Sequence, residues 1–134
     1  HYSPLFLCKC IKEAISFNAD CLIGGCSWLE CPIQLSENLF WVDKFTGMQF
    51  TVIFNNFYSK LLDMELSANS AVDLSISDIS DDKFVIYPYI SIQKEFGYSD
   101  LTPINCEKGY VSRSFTHTEN KLSLLNKVKQ YYLV

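Results

Sequence analysis

The sequence predicts a mostly β domain, with five strands curled into one closed barrel and three helices around it. Three observations predict it. Aromatic residues make up 15% of the 134 residues, which favours strands. The stretch LFWVDKFTGMQFTVIF (39–54) sets two runs rich in aromatic and β-branched residues either side of Thr46-Gly47, as a hairpin does. The run CLIGGCSWL (21–29) reads as a strand broken at Gly24-Gly25, where a sheet can bend or bulge. The length suits one domain with its own core, spanning 1–134. His1 in place of methionine leads us to expect a piece excised from a longer chain.

The elements follow in order. Ser3-Pro4 joins a capping residue to a proline at the first helical position, and Leu5, Cys8, Ile11 and Ile15 then recur at helical spacing, so a helix is expected over 4–16. The interrupted strand covers 19–29 and ends at Cys31-Pro32. The hairpin gives strands over 38–44 and 48–55. Phe57, Leu61, Leu62 and Leu66 predict a helix over 56–66, after the third strand. Residues 67–82 are rich in Ser, Asp and Ala and read as a polar connection. From Asp63 to Asp82 there are six acids, which read as a solvated acidic edge. KFVIYPYISIQ (83–93) is a strand that Pro88 confines to an edge or a bulge. A weaker strand is expected within 101–113. Thr116 and Glu119 fit a capping box for a terminal helix. On that helix Leu122, Leu125, Val128 and Tyr132 line one side, with Leu124 and Tyr131 off the stripe. A curled first strand, a meander and a helix between strands three and four describe a barrel whose closure removes its exposed edges.

Composition narrows the function. A net charge of −4 argues against affinity built on broad phosphate neutralisation, while leaving room for local base stacking. No signal-peptide pattern or membrane-length apolar run is present. The six cysteines, at 8, 10, 21, 26, 31 and 106, contain no CxxC, and their five-residue steps put successive members on opposite faces of a strand, so no metal site is expected. No N-x-S/T acceptor occurs. Together these point to reduced, mostly buried thiols in a cytosolic or nuclear protein. A catalytic reading would have to pair Cys26 or Cys106 with His117, one of only two histidines. Nothing in the spacing activates such a pair, so no catalytic residue, cofactor or enzyme activity is expected.

The segment Val42-Asp43-Lys44-Phe45-Thr46-Gly47, flanked by alternating hydrophobics, resembles strands two and three of nucleic-acid-binding OB-folds. In that pattern the aspartate accepts turn amides and the glycine supplies a positive φ. CLIGGCSW matches the first OB strand. With the leading Pro4-Leu5-Phe6 helix, the element order resembles the replication-protein-A-like subunit of the telomere-capping CST complex, known as suppressor of cdc thirteen. The resemblance implies a non-enzymatic domain of the nucleus, at telomeres. It would form a heterodimer with a small single-OB protein, help to cap single-stranded telomeric DNA, and belong to an assembly that engages DNA polymerase α-primase.

On that reading Trp41, Lys44, Tyr87 and Tyr89 are the candidates for base stacking or phosphate contact, with half-buried sheet packing as the plain alternative. Leu122, Leu125, Val128, Tyr131 and Tyr132 are the candidate partner anchors, weighed against simply covering the barrel's open end. An acidic domain would bind DNA weakly alone and lean on its partners. A rival reading is a secreted, disulfide-linked, immunoglobulin-like interaction protein of the viral accessory type, echoed by Cys31-Pro32-Ile33 and Asn105-Cys106.

Overall fold

The computed structural model describes residues 3–97 and 102–132. Of these, 44% are helical and 17% are in strands, and the sheet does not close. The expected barrel is therefore corrected to a mixed α and β fold. Helix α1 (Pro4–Ser16) starts as predicted, with the Ser3 hydroxyl accepting from the Phe6 amide at 3.1 Å. Its buried face is not the predicted one: Leu5 and Ile15 are exposed, and the small side chains of Cys10 and Ala14 lie fully buried against the sheet. Small residues let a helix backbone approach closely, and Phe6, Leu7 and Ile11 fill the flanks of that contact.

The strands are β1 (Cys21–Ile23), β2 (Trp28–Glu30), β3 (Ile33–Gln34), β4 (Leu39–Trp41), β5 (Lys44–Thr46), β6 (Thr51–Ile53) and β7 (Lys83–Ile86). Five form one sheet in the order β3-β4-β7-β1-β6, and β2 with β5 form a separate ribbon. The central pair, β1 and β7, is parallel, with Leu22 opposite Phe84, and the outer pairs are antiparallel. A parallel pair needs cover on both faces. Leu22, Leu39, Phe84 and Ile86 point to α1, and Cys21, Ile23, Phe40 and Val85 point to the opposite layer. That layer holds the ribbon and two helices, α3 (Val72–Ile79) and α4 (Tyr110–Val128), reached through a short α2 (Tyr58–Leu62). The order is helix, sheet, then helices and ribbon. It is not the pair of stacked sheets that a sandwich requires.

The predicted hairpin of 38–55 does not form. β4 pairs with β3 and β7, β6 pairs with β1, and β5 leaves the sheet to pair with β2. The exit is held by the Asp43 amide donating to the Glu30 carbonyl at 3.0 Å and the Ser27 amide to Thr46 at 2.9 Å. Gly47 does take a positive φ, +99°, but its amide is accepted by Asp73 of α3 at 2.8 Å and not by Asp43. Gly24-Gly25 marks where the chain leaves the main sheet for the ribbon. A Cβ on Gly25 would lie 2.1 Å from the Ser91 carbonyl oxygen, so the glycine is required by close backbone approach. The polar connection expected over 67–82 contains α3, whose Ile76 and Ser77 are buried.

Asp20 clasps the starts of β1 and β7. Its Oδ2 accepts from the Ser80 hydroxyl and the Asp81 amide, both at 3.1 Å, and from the Asp82 amide at 3.3 Å. Oδ1 accepts from Asn56 at 3.3 Å. A buried carboxylate with every donor in place is a structural pin.

Candidate functional site

The terminal helix is longer than predicted and begins differently. Gly109, with φ +80°, precedes Tyr110, so the helix already covers Thr116 and Glu119. These two do not form a capping box; Glu119 turns inward and accepts from the Tyr89 amide at 2.9 Å. The strand expected within 101–113 is replaced by a 3-10 turn (Pro103–Cys106) and the first turn of α4, residue 101 lying outside the described residues.

Three polar contacts fix α4 on the sheet. The Thr118 hydroxyl donates to the Cys26 carbonyl at 2.6 Å, Glu119 holds Tyr89, and Gln34 Nε2 donates to Asn126 Oδ1 at 2.7 Å. Val111, Phe115, Thr118 and Leu122 are buried along the same side, and Leu125 packs against that core. The candidate anchors therefore divide. Leu122 and Leu125 belong to the core, Val128 is half-buried, and Tyr131 and Tyr132 stand out at 73% and 75% exposure. Leu124, off the predicted stripe, is the exposed leucine at 62%. Arg113, His117, Asn120, Leu124 and Lys127 recur at steps of three and four, all exposed, and so form one outward face, with Tyr131 exposed in the 3-10 turn (Lys129–Tyr131) just beyond it. The predicted stripe is thus the core side at Leu122 and Leu125, while Val128 and Tyr132, placed on the same stripe, are half-buried and exposed.

The four nucleic-acid candidates are not brought together. Trp41 lies on the α1 side of the sheet, its indole Nε1 donating to the Asp81 carbonyl at 2.9 Å. Tyr87 packs edge-on against Phe40, with ring centres 5.9 Å apart, on the other side. Tyr89 is wedged between sheet and α4, its hydroxyl 3.2 Å from Cys26 Sγ and its ring against Phe115. Burial, then the neighbouring thiol, pushes the Tyr89 hydroxyl pKa up. Lys44 sits on the ribbon and pairs with Asp78, whose carboxylate raises the pKa of the ammonium group. A stacking platform needs open ring faces on one surface. These three rings face two sides of the sheet and are packed or anchored.

Other polar groups have structural roles. Cys26 is fully buried on Tyr89, whereas His117 lies on the outward face of α4, so the two do not form a catalytic pair. Lys83 is 3% exposed and donates to the Ser80 carbonyl; burial lowers its pKa. Among the described residues no three His, Cys, Asp or Glu side chains are grouped to hold a metal ion. No described helix is long and apolar enough to cross a membrane.

The fold and this surface define a mixed α and β domain with a basic, partly apolar terminal helix face. No family model matches the chain, and no curated protein and no solved structure matches it.

Proposed function

We propose that this is a protein-interaction domain whose terminal helix is the recognition element. One observation carries the reading: the outward face of α4 presents Leu124 between Lys121 and Lys127, with Tyr131 exposed in the turn that follows, while its inner face is independently satisfied by the core. Apolar side chains set among cations, on a helix already fixed by its other face, suit docking into an acidic groove on another polypeptide. The helix is ordered before binding, so association does not bear the cost of folding it.

The telomere-capping reading drew its DNA surface from a barrel, and the open sheet leaves that part without a carrier. The part that does not depend on a barrel is engagement of a partner through the terminal helix. The first partner class to test is accordingly the small single-OB protein named by the resemblance. Isothermal titration of candidate small OB proteins from the same organism should show binding to the wild-type domain. Leu124→Glu with Tyr131→Glu should weaken it at least tenfold with an unchanged circular dichroism melt. Equal affinity of wild type and variant would remove the helix from recognition. Absence of wild-type binding would remove that partner class.

A further inference from the structure

A groove lies between α2 and α3 on the far side of the ribbon from α4. It is a shallow, open depression of about 600 Å3, lined by Lys60, Asp63, Met64, Glu65, Asp78 and Ile79, with Ser75 alongside. Met64 and Ile79 also pack on the main core, so its floor is fixed. Leu62, Leu66, Val72 and Leu74 stand exposed at 84%, 51%, 49% and 42% on the two helices and their connection. This is a concentration of exposed apolar side chains on a stretch that is otherwise acidic. Residues 58–82 carry six acids and a single lysine. Lys60 is paired with Asp81 and Lys44 with Asp78, and no cation among the described residues pairs with Asp63 or Glu65.

The terminal helix has the opposite character. Residues 110–129 carry Arg113, Lys121, Lys127 and Lys129 against one acid, Glu119, which is turned inward. Among the described residues no carboxylate pairs with Lys121, Lys127 or Lys129. The same chain therefore holds an acidic, apolar-floored groove and a basic helix face with apolar anchors. The ribbon separates them, with α3 packed on β5 and α4 on β2. A copy's own helix is thus held away from its own groove.

We propose that α4 of one copy docks in the α2–α3 groove of a second copy, with Leu124 and Tyr131 over Met64 and Ile79 and the helix lysines facing Asp63 and Glu65. The proposal rests on the reading of α4 as a recognition element and names its receptor. The contact joins two different surfaces, so it is heterologous and propagates head to tail into rings or short filaments. One helix face in one groove makes a small interface, below about 1,200 Å2 in total, and association in the high-micromolar range is expected. Salt weakens it, because exposed charges carry the selectivity.

Sedimentation equilibrium on the whole chain tests this. The wild type should increase in weight-average mass with concentration at low salt and revert in high salt. The helix variant Lys121→Glu, Leu124→Glu, Lys127→Glu and the groove variant Asp63→Lys, Glu65→Lys should each stay monomeric, because each has lost one of the two surfaces. All five positions are exposed, so both variants should keep the wild-type melt. Mixed together they should associate again, the intact helix of one variant seating in the intact groove of the other. A wild type monomeric at about 1 mM, the weak end of measurable association, would overturn the proposal. So would variants that still associate alone, or a mixture that stays monomeric beside an associating wild type. If self-association fails while a small OB protein still binds through α4, the groove is wrong and the reading of the helix stands. If neither occurs, both fall.

Discussion

Asp20 and the buried thiols carry more of this protein than their positions in the sequence announce. Asp20 ties β1 to β7 through three donors and to the turn after β6 through Asn56, and Cys21, one residue on, lies 3.9 Å from the same Ser80 hydroxyl. Burial pushes the Cys21 and Cys26 thiols up to about 12, from 9.0. Cys8, Cys31 and Cys106 are exposed, and Cys10, Cys21 and Cys26 are buried. We therefore expect a thiol reagent at pH 8 to modify the three exposed cysteines promptly and the three buried ones only on unfolding. Rapid reaction of all six would contradict the packing. Linkage gives a second expectation. The buried thiols stay protonated in the fold while the unfolded chain ionises near 9.0, so the stability they contribute is intact below that pH. It is lost as pH rises toward about 12, at up to about 1.4 kcal/mol per pH unit for each thiol. Urea titrations at pH 8 and pH 10 should show the fall, and equal midpoints would contradict it.

At the scale of elements, the helices show how far periodicity reads. It found α1 and the body of α4, because caps and apolar steps are local signals. It chose the wrong face on α1, since Cys10 and Ala14 are less conspicuous than Leu5 and Ile15; on α4 its stripe meets the core at Leu122 and Leu125, but apolar residues on two sides left open which side faces outward. It missed α3, where serines and aspartates are as many as the apolar residues and only Ile76 and Ser77 are buried. The division of α4 is testable. Leu125→Glu should cost at least about 2 kcal/mol, since a charge enters a packed position. Leu124→Glu should change stability by less than about 0.5 kcal/mol, as surface substitutions do. Chemical denaturation of the two variants checks this, and equal losses would mean that α4 sits in another rotation.

The whole molecule explains why the barrel reading failed. Strands two to four residues long can be joined in many orders, and alternation within each says only which side chains share a face. The main sheet has β3 and β6 at its two edges, three strands apart, so it cannot close on itself. The residues that looked like one hairpin are divided among the main sheet and the ribbon. Stability should be graded accordingly. Amide exchange should be slowest in β1, β4 and β7, which lie within the sheet under helices, and fastest over 63–71, where Met64 is the one residue that is not exposed. Uniform protection across both would argue against this layering.

By itself the sequence determined the leading helix with its Ser3 cap, the positive φ at Gly47, the break at Gly24-Gly25, the strand at 83 and the apolar run of the last helix. Each follows from chemistry within a few residues: a hydroxyl near an amide, a missing Cβ, a β-branched run. Only the tertiary structure decided the order of the strands, the release of β2 and β5 into a ribbon, the inward turn of Tyr87 and Tyr89 and the outward turn of Leu124. Those choices depend on what lies across the core from each residue. A side chain does not encode its distant neighbour, and the burial that selects it exists only once the layers have met.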